Sequence, residues 1–137
     1  MSFGVVLTDG VDTVDLRDRP IHCYDWSDLL SAPPKRGRNR VVPGVRGTAV
    51  RPRVAGELRA LLHVRVFGDD HEGCVDNLAT LFDLLDVDGL LDVTVHRGGL
   101  ASLTGELQVE DPDTPTFRSD RIAELVVDVT VPAGRLT

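Results

Sequence analysis

His22-Cys23 and His71-Glu72-Gly73-Cys74 are the two places where metal-ligating side chains crowd together. A structural zinc ion would need four such ligands at tetrahedral angles. Adjacent residues of an extended strand point to opposite faces, so His22 and Cys23 cannot readily converge on one ion. The plainer expectation is two free thiols in buried or half-buried apolar surroundings and two surface histidines, with no metal and no cofactor. Two cysteines also fall short of a disulfide framework. Nucleophilic catalysis has no support: there is no Gly-x-Ser-x-Gly elbow and no Walker loop. Gly98-Gly99 reads as a hairpin turn, and the serines at 2, 27, 31, 102 and 119 read as turn or terminal residues. Asp86-Val87-Asp88-Gly89 has the look of a calcium loop. Leu84 stands where that loop needs an acid, however, and no Glu follows at the right distance. The chain is expected not to be an enzyme.

Charge is the chemistry that remains. Residues 35 to 53 hold seven of the fifteen Lys and Arg residues, and no acid occurs from Leu29 to Gly56. Six of those seven are Arg, whose planar fork pairs with carboxylate or phosphate. The other side of the balance lies downstream. Between Val66 and His96 stand eight acids (Asp69, Asp70, Glu72, Asp76, Asp83, Asp86, Asp88 and Asp92) and no Lys or Arg. A solvated helix face is the simplest account of these acids. The functional account is an acidic docking surface for the basic arm of a neighbouring copy. Docking of that kind is heterologous, and it closes into a ring where the rotation permits. The interface candidates are Arg38, Arg40, Val42, Pro43, Gly44, Arg46, Gly47, Arg51 and Arg53 on the arm. On the acidic side they are Asp69, Asp70, Glu72 and Asp76.

A chain of 137 residues suits a single domain, 1–137, with the arm at about 33–56. A hydrophobic content of 42% fits a soluble globular protein. No apolar run approaches the roughly 18 residues of a membrane span, so no membrane partner is expected. The N-terminus lacks the basic region of a signal peptide, which points to the cytoplasm of the producing cell. A net charge of −7 argues against general nucleic-acid binding, and 4% aromatic residues argue against stacking platforms for single strands.

These charges need elements to hold them. Val5 to Val14, broken by Asp9, Gly10 and Asp12, reads as two short strands around a turn, and Ile21 to Trp26 as a third strand. Pro43-Gly44 suits a type II turn between two legs, Val41-Val42 and Thr48 to Val50. Leu58, Ala60, Leu62, Val64 and Val66 alternate with more exposed types over Leu58–Phe67, the period of a strand. Cys74, Leu78, Leu81, Phe82 and Leu85 have helical spacing over about 70–86. Leu91, Val93 and Val95 predict a strand, as do Leu103, Gly105, Leu107 and Val109. Asp111 to Pro115 reads as a loop before a last strand at Ala123 to Val131. The predicted order is arm, strand, helix and three strands. That is a mainly β (α+β) fold, a sandwich or barrel with one flanking α-helix and a projecting hairpin arm.

Val42-Pro43-Gly44 with Gly47, preceded by Arg38 and Arg40, resembles the Ile/Val-Pro-Gly-x-x-Gly hairpin near the start of siphophage distal tail proteins. The later order of strand, helix and strands is similar to the tail-tube fold that those proteins share. The resemblance covers most of the chain in order, while its specific motif covers about six residues. It implies a structural virion protein of distal-tail or tail-tube type, assembled in the host cytoplasm. Such proteins form rings, commonly hexameric, through arm contacts between subunits or successive rings. The implied partners are further copies of itself, neighbouring tail proteins, and DNA passing through the lumen without specific binding. Distal tail proteins often carry a second domain, for which this chain has no room, so a tail-terminator or head–tail connector ring protein stays an alternative. Two other classes compete: a nucleic-acid-binding module using the Arg-rich arm on phosphates, and a small enzyme or ligand-binding β-barrel.

Overall fold

Strict alternation makes Leu58–Phe67 a strand with one face in the core: Leu58, Ala60, Leu62, Val64 and Val66 are buried. Its partner, Ile122–Val131, buries Ala123, Leu125, Val127, Val129 and Val131 by the same rule. The two pair antiparallel over their whole length, from Ile122 opposite Phe67 to Val131 opposite Leu58. In chain order, the computed structural model has strands β1 (Phe3–Thr8), β2 (Thr13–Asp15), β3 (Arg17–Asp18) and β4 (Ile21–Asp25), then a 3-10 turn at Ser27–Leu30. The arm follows with β5 (Lys35–Arg36), β6 (Arg40–Val41), β7 (Thr48–Ala49) and β8 (Val54–Ala55). After it come β9 (Leu58–Phe67), helix α1 (His71–Leu85), β10 (Leu90–Arg97), β11 (Leu100–Pro112), β12 (Thr116–Ser119) and β13 (Ile122–Val131). The described residues are 3–31, 35–36, 40–41, 48–49 and 54–137; for 35–55 only backbone pairing is described.

The main sheet runs β2-β1-β10-β11-β13-β9-β4-β3, with β12 beside β13. Its two ends, β2 and β3, are consecutive in the chain and meet at Leu16. The Leu16 N–H donates to the Val5 carbonyl at 2.9 Å, and the Leu16 carbonyl accepts from the Cys23 N–H at 2.8 Å. One buried residue thus brings the sheet close to a closed barrel. The other corner is β11, which pairs with β10 over its first part and with β13 from Gln108 onward. Leucines and valines from both walls fill the interior. Burying each such side chain contributes roughly 1.5–3 kcal/mol.

Helix α1 starts where sequence chemistry says it should. Asp70 is the N-cap, its Oδ1 accepting from the Gly73 N–H at 2.7 Å. Cys74, Leu78, Leu81, Leu84 and Leu85 are buried on its inner face. Gly68 permits the close turn from β9, because a Cβ there would fall against the backbone of Cys74. Asn77 ties the helix to the strand end by donating from Nδ2 to the Phe67 carbonyl at 2.7 Å.

The mainly β architecture, with one α-helix among the described residues, is as expected, and the strand and helix bounds after Leu58 fall close to those read from the sequence. The hairpin is present as antiparallel pairs of β6 with β7 and of β5 with β8. Its turn, Val42 to Gly47, lies outside the described residues. Three details differ. The segment from Asp111 to Pro115 is only partly loop, because β11 runs on to Pro112. A fourth strand after the helix, β12, pairs with β13 although all four of its residues are exposed, so no burial pattern marks it. Ser102 lies within β11 and Ser119 ends β12, rather than in turns.

Candidate functional site

The sheet's outer face around β4, β9, β12 and β13 carries a charge network. Register places Arg65 opposite Glu124. Arg65 donates to Glu124 Oε1 from Nε at 2.9 Å and from Nη2 at 2.6 Å. Arg118, arriving on β12, donates from Nε to Oε2 at 2.8 Å. The two guanidiniums hold the Glu124 carboxyl below the usual glutamate range, Arg118 contributing most. The Arg65 guanidinium also sits 4.8 Å from the centre of the Tyr24 ring. Every charge in this group has a partner, which is how a structural cluster looks.

The helix side is different. Asp69, Asp70, Glu72 and Asp76, the predicted acidic candidates, are all exposed near the start of α1. Asp70 is occupied by the capping bond, whereas no ion pair among the described residues reaches the other three. At the opposite end of the helix lies a groove of about 410 Å³ between the last turn of α1 and β11. Phe82, Val87 and Val109 line it and are half-buried. Asp83, Asp86, Asp88 and Glu110 line it as well and are exposed. Again no ion pair among the described residues reaches these four carboxylates. The last turn of the helix carries no basic residue to complement its carbonyl end.

This groove was only half visible in the sequence. The acids at 83, 86 and 88 belong to the base-free run, but Glu110 joins them only because β11 folds beside the helix end, where the register shifts between Val109 and Asp111. On the arm, Arg38, Val42, Pro43, Gly44, Arg46, Gly47, Arg51 and Arg53 lie outside the described residues. Arg40 is placed by its backbone, opposite Ala49.

The cysteines are buried and free, as expected. Burial pushes the Cys23 thiol up to about 12 and raises that of Cys74, so both stay protonated and unreactive at neutral pH. His71 is at the surface, its Nδ1 3.1 Å from the Asp120 carbonyl. His22 is instead half-buried, with Nδ1 3.0 Å from the Arg17 carbonyl, because β3 folds back over β4. No helix among the described residues is long and apolar enough to cross a membrane.

The fold is similar to that of chains in two phage structures. A chain in the structure of the phage P2 baseplate, in its activated conformation with Ca, matches with a TM-score of 0.74 at 12% identity. The match covers 96% of this chain and 44% of that one. The phage SPP1 Dit protein, whose structure is described as a paradigm of the hub adsorption apparatus in phages infecting Gram-positive hosts, matches with a TM-score of 0.60 at 16% identity. Here the coverage is 96% of this chain and 51% of that one. The chain thus spans about half the length of these neighbours. No protein-family model matches it, and no curated protein does so.

Proposed function

We propose that this chain is a structural, non-catalytic component of a phage virion, of the distal-tail type. It would form a ring, commonly hexameric, through arm-mediated contacts between subunits, with DNA passing through the lumen unbound. The observation that carries this reading is the likeness over 96% of the chain to a chain of a phage baseplate and to the Dit protein of a phage hub. The Pro43-Gly44 motif and the paired strands of the arm agree with it. Its partners are further copies of itself and neighbouring tail proteins, and its place is the virion tail after assembly in the host cytoplasm. A tail-tube subunit is a close variant of this role, and a tail terminator or head–tail connector ring is the runner-up. A nucleic-acid module gains less support, since −14 of charge lies outside the arm.

Light scattering with negative-stain imaging, across concentration and salt, tests the reading. Rings or short tubes are expected, and Arg38, Arg40 and Arg46 replaced together by Glu should weaken them. A wild-type chain that stays monomeric at high concentration would count against self-assembly. Steeply salt-dependent DNA binding by a monomer would favour the nucleic-acid module instead.

A further inference from the structure

We propose that the groove between the last turn of α1 and β11 receives the Arg-rich arm, residues 35 to 53, of a second copy of this chain. This rests on the self-assembly reading above and names the surface that the arm meets.

Three observations carry it. First, the groove is amphipathic in a particular way: half-buried Phe82, Val87 and Val109 are bordered by exposed Asp83, Asp86, Asp88 and Glu110. An occupant must bring apolar groups and cations together. The arm does so, with Val41, Val42, Val45 and Val50 interspersed among six Arg and one Lys, and no acid among them. Arginine can also lay its methylene stem on an apolar surface while its fork meets a carboxylate.

Second, the two ends of the helix differ in electrostatic sense. The N-terminus carries partial positive charge from free N–H groups, which offsets Asp69 and Glu72 and repels an incoming guanidinium. The C-terminus carries partial negative charge from free carbonyls, which adds to Asp83, Asp86 and Asp88. A basic segment should therefore prefer the end of α1 to its start, although acids stand at both.

Third, the carboxylates of the groove have no cation to displace among the described residues. No ion pair among the described residues involves them, and the sequence holds no Lys or Arg between Phe67 and His96. The outer sheet face contrasts with this, because its Glu124 is already held by Arg65 and Arg118.

Two variants of the full chain that each add one cysteine, Val45→Cys on the arm and Asp88→Cys in the groove, provide the test when mixed with a short thiol cross-linker. The native Cys23 and Cys74 are buried, so the wild type supplies the background. A cross-linked heterodimer is expected, formed far less by Val45→Cys with Asp69→Cys. Asp86→Lys with Glu110→Lys should raise the concentration needed for assembly by about tenfold, with the thermal midpoint of the free chain unchanged or raised. Equal or greater cross-linking at position 69 would overturn the groove as the site. A chain carrying both Val45→Cys and Asp88→Cys that closes on itself at every dilution would overturn the second copy as the source of the arm. Rings that persist unchanged in the double Lys variant would overturn the groove and leave the ring reading intact. A monomeric wild type would sink both.

Discussion

The outer face of β9 and β13 and the far end of α1 hold similar numbers of charged side chains but treat them in opposite ways. On the sheet, Arg65 and Arg118 converge on one carboxylate, and Tyr24 lies against the Arg65 guanidinium. At the helix end, Asp83, Asp86, Asp88 and Glu110 gather around an apolar groove with no cation among the described residues. The first arrangement is satisfied within the fold and contributes to holding it. The second leaves like charges close together, which costs stability in the free chain and lowers the barrier to a cationic partner. A surface whose charges find no partner among the described residues is the better place to look for one.

Substitutions in the two regions should have different consequences. The largest effect is expected from Leu81→Ala, which removes the fully buried anchor of the helix. It should cost about 3 kcal/mol in denaturant unfolding and abolish the groove along with the helix position. Next, Glu124→Gln should lower the thermal midpoint at neutral pH, because Arg65 and Arg118 lose their shared carboxylate. The same variant tests the sign of the pH dependence. The folded Glu124 value lies below the ordinary 4.5, so its contribution is fully present above 4.5 and is lost as pH falls through the lowered value. Unfolding of the wild type should therefore become easier on acidification below that point, and the variant should show less of this loss. Equal slopes would mean that the sheet network contributes nothing.

A smaller loss is expected from Asp70→Ala. This removes the cap that accepts the Gly73 N–H and should cost about 1 kcal/mol, again by denaturant titration. The smallest effect is of opposite sign. Asp86→Lys places a cation at the helix C-terminus and should stabilise the free chain by about 0.3–1 kcal/mol while weakening assembly. A variant at once more stable and less assembled would separate the two regions cleanly. Loss of both properties together would mean that Asp86 serves the fold.

Much of the fold was legible from residue order. The alternation over Leu58–Phe67 and Ile122–Val131 and the helical spacing of Cys74, Leu78, Leu81 and Leu85 are local signals, strong because one face of each element is buried. β12 was not legible, since Thr116 to Ser119 are all exposed and the strand exists only by pairing with β13. Arg65, Arg118 and Glu124 likewise stand far apart in the chain, and nothing local links them. Part of the candidate site was legible in the acid run after Phe67, which has no base to neutralise it.

Residue order alone sets the segregation of charge, the core-facing sides of the long strands and the helical face from Cys74 to Leu85. Each depends on residue type and on spacings of a few positions. The tertiary structure alone decided which charges become partners. Register set Arg65 opposite Glu124, closure through Leu16 curled the sheet, and the turn of β11 carried Glu110 to the end of α1. Coulomb interactions depend on distance through space, and that distance is set by long-range pairing.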